Sequence, residues 1–271
     1  MTREQIMEAL QKVKEQIENN GHMVIAVILQ GSQNYGLAKY TEEYMSDIDC
    51  KAFIVPSFSD MYYSRPYSTT LTTPYGLVDV KDIRLFAELI KKANPSYMEL
   101  LFSDYAIIEP NTFMEMADDL VAERIPLLIK AAYGMMLQKQ AVLKHPYPTI
   151  VDKIEKYGYD PKQLHHIVRL YYFMKAISDG KKFKEALHQT GDVLQFLMDL
   201  KAGKYSEEEA DALTLEYIAK GKEIENANPP VDKTDPKHPV NKIHSTTLDE
   251  FERRIFATVE KMTLEAWKNK E

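Results

Sequence analysis

Two aspartates one residue apart, Asp47 and Asp49, close the stretch "LQGSQNYGLAKYTEEYMSDID" that runs from Leu29 to Asp49. In an extended segment alternate side chains share a face, so these carboxylates point the same way and Ile48 points the other. The residues that follow, Ala52, Phe53, Ile54 and Val55, are apolar. Two carboxylates against such a strand are costly unless a cation sits on them. A divalent ion held by hard oxygen ligands and completed by substrate phosphates is one solution. The other is a pair of turn aspartates facing water. A third acid inside an apolar pattern, Asp79 in "LVDVK", shifts the balance toward chemistry. Three carboxylates on neighbouring strands can hold two metals ~4 Å apart, which activates a hydroxyl and steadies a leaving pyrophosphate. Asp82 competes for that third role. Alternation places it on the face opposite Asp79, and it is well placed to cap the helix that follows.

Gly31-Ser32 directly follows the apolar run "HMVIAVILQ". Glycine lets backbone approach a ligand, and Ser32 can cap a short helix whose free N–H groups face an anion. A plain strand-to-helix turn reads the same way. Lys162, His166 and Arg169 recur at helical spacing opposite Leu164, Ile167, Val168 and Tyr171. They are either a phosphate clamp or a solvated helix face. His165 is read as structural or solvent-facing. Lys51 shares the face of Asp47 and Asp49, where it touches phosphate or balances charge. Tyr62, Tyr63, Tyr67 and Tyr75 are read as packing residues, with base stacking as the alternative. Ser96 and Glu99 form the pattern of a capping box.

These residues need elements to hold them. Ile6, Leu10, Val13 and Ile17 predict an amphipathic helix that ends at Asn19-Asn20-Gly21. Strands are expected over "HMVIAVILQ", "DIDCKAFIVP" and "YGLVDVKDI", with a loop or hairpin across residues 57–74. A helix is expected from Ile83 to Ala93. From about Asn111 the strand signals vanish. Helices are expected there with a kink or break at Pro126, a stop at Gly158, a restart at Asp160-Pro161, a proline-rich connector over residues 227–241 and a last helix at "TLDEFERRIFATVEKM". The fold class is therefore α+β: a small mixed or antiparallel sheet with helices over residues 1–110, then an all-helical domain over residues 111–271.

Composition sets outer bounds. The chain has 271 residues, 45% hydrophobic and 28% charged, with a net charge of −7. That is enough chain for a sizeable core. It argues against a surface coated for nucleic acid, while leaving room for a local basic groove. One cysteine, Cys50, excludes an internal disulfide and fits a reducing compartment. The longest early apolar run is too short to span a bilayer. A cytoplasmic protein without a membrane partner is expected.

Taken together, Gly31-Ser32, Tyr35-Gly36, Ser46-Asp-Ile-Asp49 and a later strand acid resemble the polymerase-beta-like nucleotidyltransferase superfamily, and within it a subfamily of predicted bacterial and phage members. The resemblance continues through "FAELIKKANPSYMELLFS" and "GYDPKQLHHIVRLYYFM". Ala52 stands where relatives often carry glycine. The resemblance implies that Asp47, Asp49 and Asp79 bind Mg2+ or Mn2+ and that Asp79 helps deprotonate the acceptor. Gly31 and Ser32 would contact the phosphates of a nucleoside triphosphate, with Lys162, His166 and Arg169 as further nucleotide contacts. The implied reaction passes a nucleoside monophosphate to a hydroxyl of an RNA or tRNA end, a small molecule or a protein, and releases pyrophosphate. The competing class is a non-catalytic nucleotide-binding or toxin–antitoxin partner with the same fold.

Overall fold

The computed structural model describes residues 1–38, 46–108, 113–148, 150–229 and 246–268. The chain divides into two compact units, Met1–Glu123 together with Lys242–Glu271, and Arg124–Asn241. The fold is α+β, but a boundary near residue 110 does not describe it. The C-terminal stretch belongs with the sheet-bearing unit rather than with the intervening helices.

In the first unit, α1 (Arg3–Asn19) begins on a Thr2/Gln5 capping box and buries Ile6, Ala9, Leu10, Val13 and Ile17. Gly21, at φ +87°, follows its end as the sequence predicts. The sheet has the order β3-β4-β2-β1-β5, from β1 (Val24–Leu29), β2 (Cys50–Ile54), β3 (Ser68–Thr72), β4 (Leu77–Asp82) and β5 (Ala106–Ile108). It is mixed: β2 and β4 run parallel, and the other pairs are antiparallel. The crossover between β2 and β4 consists of a short helix, α2 (Phe58–Tyr62), and β3. Residues 57–74 therefore hold a helix as well as one arm of a hairpin.

All six residues of β1 are buried, so both faces of the sheet are covered. On one face Ile48, Cys50, Ala52, Ile54, Val78 and Val80 pack with the apolar side of α1. On the other, Phe53 stacks on Phe86 of α3 (Ile83–Lys91) at 4.4 Å between ring centres. Phe86 and Phe113 both meet Phe251 of the last helix, at 5.7 and 6.1 Å. After α3, α4 (Pro95–Met98) is capped by Asn94, whose Oδ1 accepts the Ser96 N–H at 3.0 Å. The expected Ser96/Glu99 box does not form, because Pro95 fixes the helix start one residue before Ser96. α5 (Ala117–Ala122) completes this part.

The second unit contains α6 (Ile125–Ala141), α7 (Val151–Tyr157), α8 (Pro161–Ser178), α9 (Phe183–Leu187), α10 (Gly191–Lys201) and α11 (Glu207–Ala227). Pro126 lies in the first turn of α6, so it marks a restart rather than a kink. Gly158 ends α7 in the left-handed conformation, and Asp160 caps α8 ahead of Pro161, as read from the sequence. α8 is the hub, packing against α6, α9, α10 and α11. The α9 and α10 helices carry no signal singled out above. Most of the expected connector lies outside the described residues. α12 (Thr246–Lys268) returns to the first unit. Among the described residues no helix is long and apolar enough to cross a membrane.

His165 is a structural group of α8. Its Nδ1 lies 2.9 Å from the Leu197 carbonyl oxygen of α10. Burial pushes its pKa down to about 4, below the unfolded value of about 6.5. The folded imidazole therefore stays neutral where the unfolded one takes a proton. Stability is full above pH ~6.5 and falls as pH drops toward ~4, by up to ~3 kcal/mol from this group. Denaturant titrations across that range are expected to show the loss, and His165→Gln should reduce it.

Candidate functional site

Ser46–Asp49 lies just ahead of β2 rather than inside the ladder, yet it is held from both sides. The Gln30 N–H donates to the Asp49 carbonyl at 2.8 Å, and the Ile48 N–H donates to the Tyr75 carbonyl at 2.8 Å. Burial alternates as the two-residue period requires. Ser46 and Ile48 are buried, Asp47 is exposed and Asp49 is partly exposed. Ile48 joins the core under α1, so Asp47 and Asp49 lie on the opposite face. Asp49 Oδ1 accepts the Leu77 N–H at 3.1 Å. Gly76 explains how the β4 chain comes this close: a Cβ there would lie 2.8 Å from the Ile48 carbonyl oxygen.

The Gly31-Ser32 turn abuts the same segment. Gly31 sits at φ +97°, a conformation that side chains disfavour. Ser32–Tyr35 forms a single 3₁₀ turn, and Ser32 makes no side-chain cap because Gly31 occupies the cap position. Gln33 Nε2 donates to the Asp47 carbonyl at 2.6 Å, tying turn to carboxylates. Two further residues brace the turn. Asn34 Nδ2 donates to the Leu29 carbonyl at 2.8 Å, and its Oδ1 accepts from Ser103 Oγ at 2.9 Å. The Tyr35 hydroxyl donates to the buried Glu99 carboxylate. Asn34 and the Tyr35–Glu99 link were not readable as site features. A hydrogen bond spanning 64 residues leaves no local spacing signal, although both residues lie within the resemblance.

Asp79 lies on the same face, in register with Lys51 of β2. Lys51 Nζ is 3.0 Å from Asp79 Oδ2, and Lys81 Nζ is 3.0 Å from Oδ1. Burial pushes the Asp79 carboxyl up, but the hydrogen bonds and charges of Lys51 and Lys81 outweigh it, and the net shift is down. Asp82 is fully buried and committed elsewhere. It caps α3 by accepting the Arg84 N–H at 2.9 Å and forms an ion pair with the Arg84 guanidinium. Cys50, between the carboxylates and the core, is no nucleophile: burial, then the charge of Asp49, pushes its thiol up to about 12.

The expected three-carboxylate metal set is not assembled. Among the described residues no group of three or more His, Cys, Asp or Glu side chains is placed to hold a metal ion. Asp47 and Asp49 supply hard oxygens on an accessible edge and fit one divalent ion that keeps much of its water. Asp79 does not fit as a ligand, because both its oxygens carry an ammonium.

Lys162, His166 and Arg169 lie in the second unit, on α8. They do not form a solvated face: Lys162 is exposed, His166 is partly covered and Arg169 is buried. Burial, then the charge of Arg169, pushes the His166 pKa well below its usual value, so the ring is neutral. Lys139 of α6 belongs to this cluster and has no motif of its own in the sequence. Burial and the nearby charge of Lys162 pull its pKa down, with Asp160 the acid that opposes them. Tyr62 and Tyr63, read as packing residues, are exposed, as is Phe58.

No family model matches the chain, and no curated protein matches it. Among solved structures, a nucleotidyltransferase-like protein from Exiguobacterium sibiricum 255-15 matches over 96% of this chain and 91% of that chain, at 11% identity and a TM-score of 0.29. A similarity of that size does not by itself show a shared fold.

Proposed function

We propose that the chain is a nucleotidyltransferase that passes a nucleoside monophosphate from a nucleoside triphosphate to an acceptor hydroxyl and releases pyrophosphate. One observation carries this reading: the Gly31-Ser32 turn is hydrogen-bonded to the segment that presents Asp47 and Asp49 on one face. A backbone approach for phosphates thus adjoins a pair of carboxylates. Asp47 and Asp49 would hold a single Mg2+ or Mn2+, which when bound neutralises phosphate charge. The Gly31 backbone leaves room for a phosphate oxygen, and Asn34 and Tyr35 keep the turn in place. Catalysis in such a site is positioning and charge neutralisation. Lys162, His166 and Arg169 are proposed as an anion contact of the second unit in its own right.

The pairing of Asp79 with two lysines favours a second reading, in which the chain binds nucleotide without transferring it. Incubation with each α-labelled nucleoside triphosphate, Mg2+ or Mn2+, and separate pools of RNA, protein and small molecules decides between them. Label passing to one pool supports transfer and names the acceptor class. Metal-dependent nucleotide binding with no label in any pool supports the second reading.

A further inference from the structure

Asp79 occupies the place of a third metal ligand, but an ammonium stands 3.0 Å from each of its oxygens. A divalent ion on the same oxygens would have to displace both, since like charges at that range repel strongly in a half-buried site. Lys51 is not a loose surface lysine that swings away. Its side chain is 8% exposed. Its Nζ lies 4.7 Å from the centre of the Tyr97 ring, on the electron-rich face. The Tyr97 hydroxyl in turn donates to Asp79 Oδ2 at 3.4 Å. Lys81 is steadied by a 2.8 Å hydrogen bond to Ser68 of β3. Asp79 of β4 and Tyr97 of α4 therefore hold the Lys51 ammonium of β2 in place. The register pairs Lys51 with Asp79, and the preceding positions on that face are Asp49 and Asp47.

We propose that Asp79 is a positioning residue for Lys51 and not a metal ligand, and that the Lys51 ammonium is the site's resident cation beside an Asp47–Asp49 centre that takes a single divalent ion. The inference rests on the function proposed above and changes what Asp79 does within it.

Mn2+ titration of the full chain, with free ion followed by electron paramagnetic resonance, tests it. The wild type is expected to bind one ion. Asp79→Asn should keep that ion with affinity within about threefold, whereas loss of a direct ligand in Asp49→Asn should weaken it by more than the ~10-fold at which even outer-shell losses begin. Lys51→Met combined with Lys81→Met frees the Asp79 carboxylate and is expected to add a second ion, which loss of a merely structural ion pair would not do. Lys51→Arg should keep the count at one. Two ions on the wild type, one of them lost in Asp79→Asn, overturns this inference and leaves the proposed function standing. No ion on the wild type overturns the metal-dependent function and this inference with it. If Asp79→Asn fails to fold, the double lysine variant still decides: a second ion on it supports the inference, and no second ion overturns it.

Discussion

Asp49→Asn is expected to reduce label transfer to background, a loss of at least ~10³-fold, while the protein stays folded. Asp47→Asn should do the same. Both side chains face away from the α1 core, and both segment anchors are backbone hydrogen bonds that the substitutions leave intact. An amide at position 49 still accepts the Leu77 N–H. The melting temperature should accordingly stay within about 2 °C of wild type, since surface changes move stability by no more than ~0.5 kcal/mol. The assay is transfer of an α-labelled nucleotide to whichever pool accepts it. Full activity in both variants would sink the assignment of these carboxylates. A large fall in melting temperature would instead make them structural.

Phe251→Ala carries the largest expected effect on stability. The ring is fully buried between Phe86 and Phe113, far from it in sequence. Removing it leaves a cavity and costs ~3–5 kcal/mol. Because α12 packs with α3 and α5, that loss should fall on the sheet-bearing unit. Hydrogen exchange read by mass spectrometry is the measurement. Protection of Val24–Leu29 and Cys50–Ile54 should drop, while Pro161–Ser178 keeps its protection. The opposite pattern would mean that the C-terminal helix belongs with the second unit.

The α1 helix, the three inner strands, the Asp82 cap and the Asp160-Pro161 start were legible in the sequence, because each rests on a local period or a cap. The site's outline was legible for the same reason: alternation alone puts Asp47 and Asp49 on one face. What escaped depends on long-range contact. The return of Phe251 to Phe86 has no local signature, and α12 reads as one more helix after a helical run. Of the two lysines on Asp79, Lys81 shares its face by the two-residue period, but Lys51 sits 28 residues earlier and becomes its neighbour only through the parallel register of β2 and β4. The α8 cations read equally as a clamp or a solvated face, because a helix pattern cannot show that Arg169 is buried and that Lys139 of α6 lies near it. β5 is three residues long, too short for a period to emerge.

The ends of the sheet bear on how the protein avoids its own copies. An open strand edge offers unpaired N–H and carbonyl groups to any other strand, which is the usual route to aggregation. Here one edge is β5, with three residues to offer. The other is β3, Ser-Thr-Thr-Leu-Thr, short and hydroxyl-rich, with Pro66 before it and Pro74 after it. Proline cannot donate to a ladder, so neither end of β3 can be extended. The chain keeps its most apolar strand, β1, in the interior of the sheet, where no second molecule can pair with it.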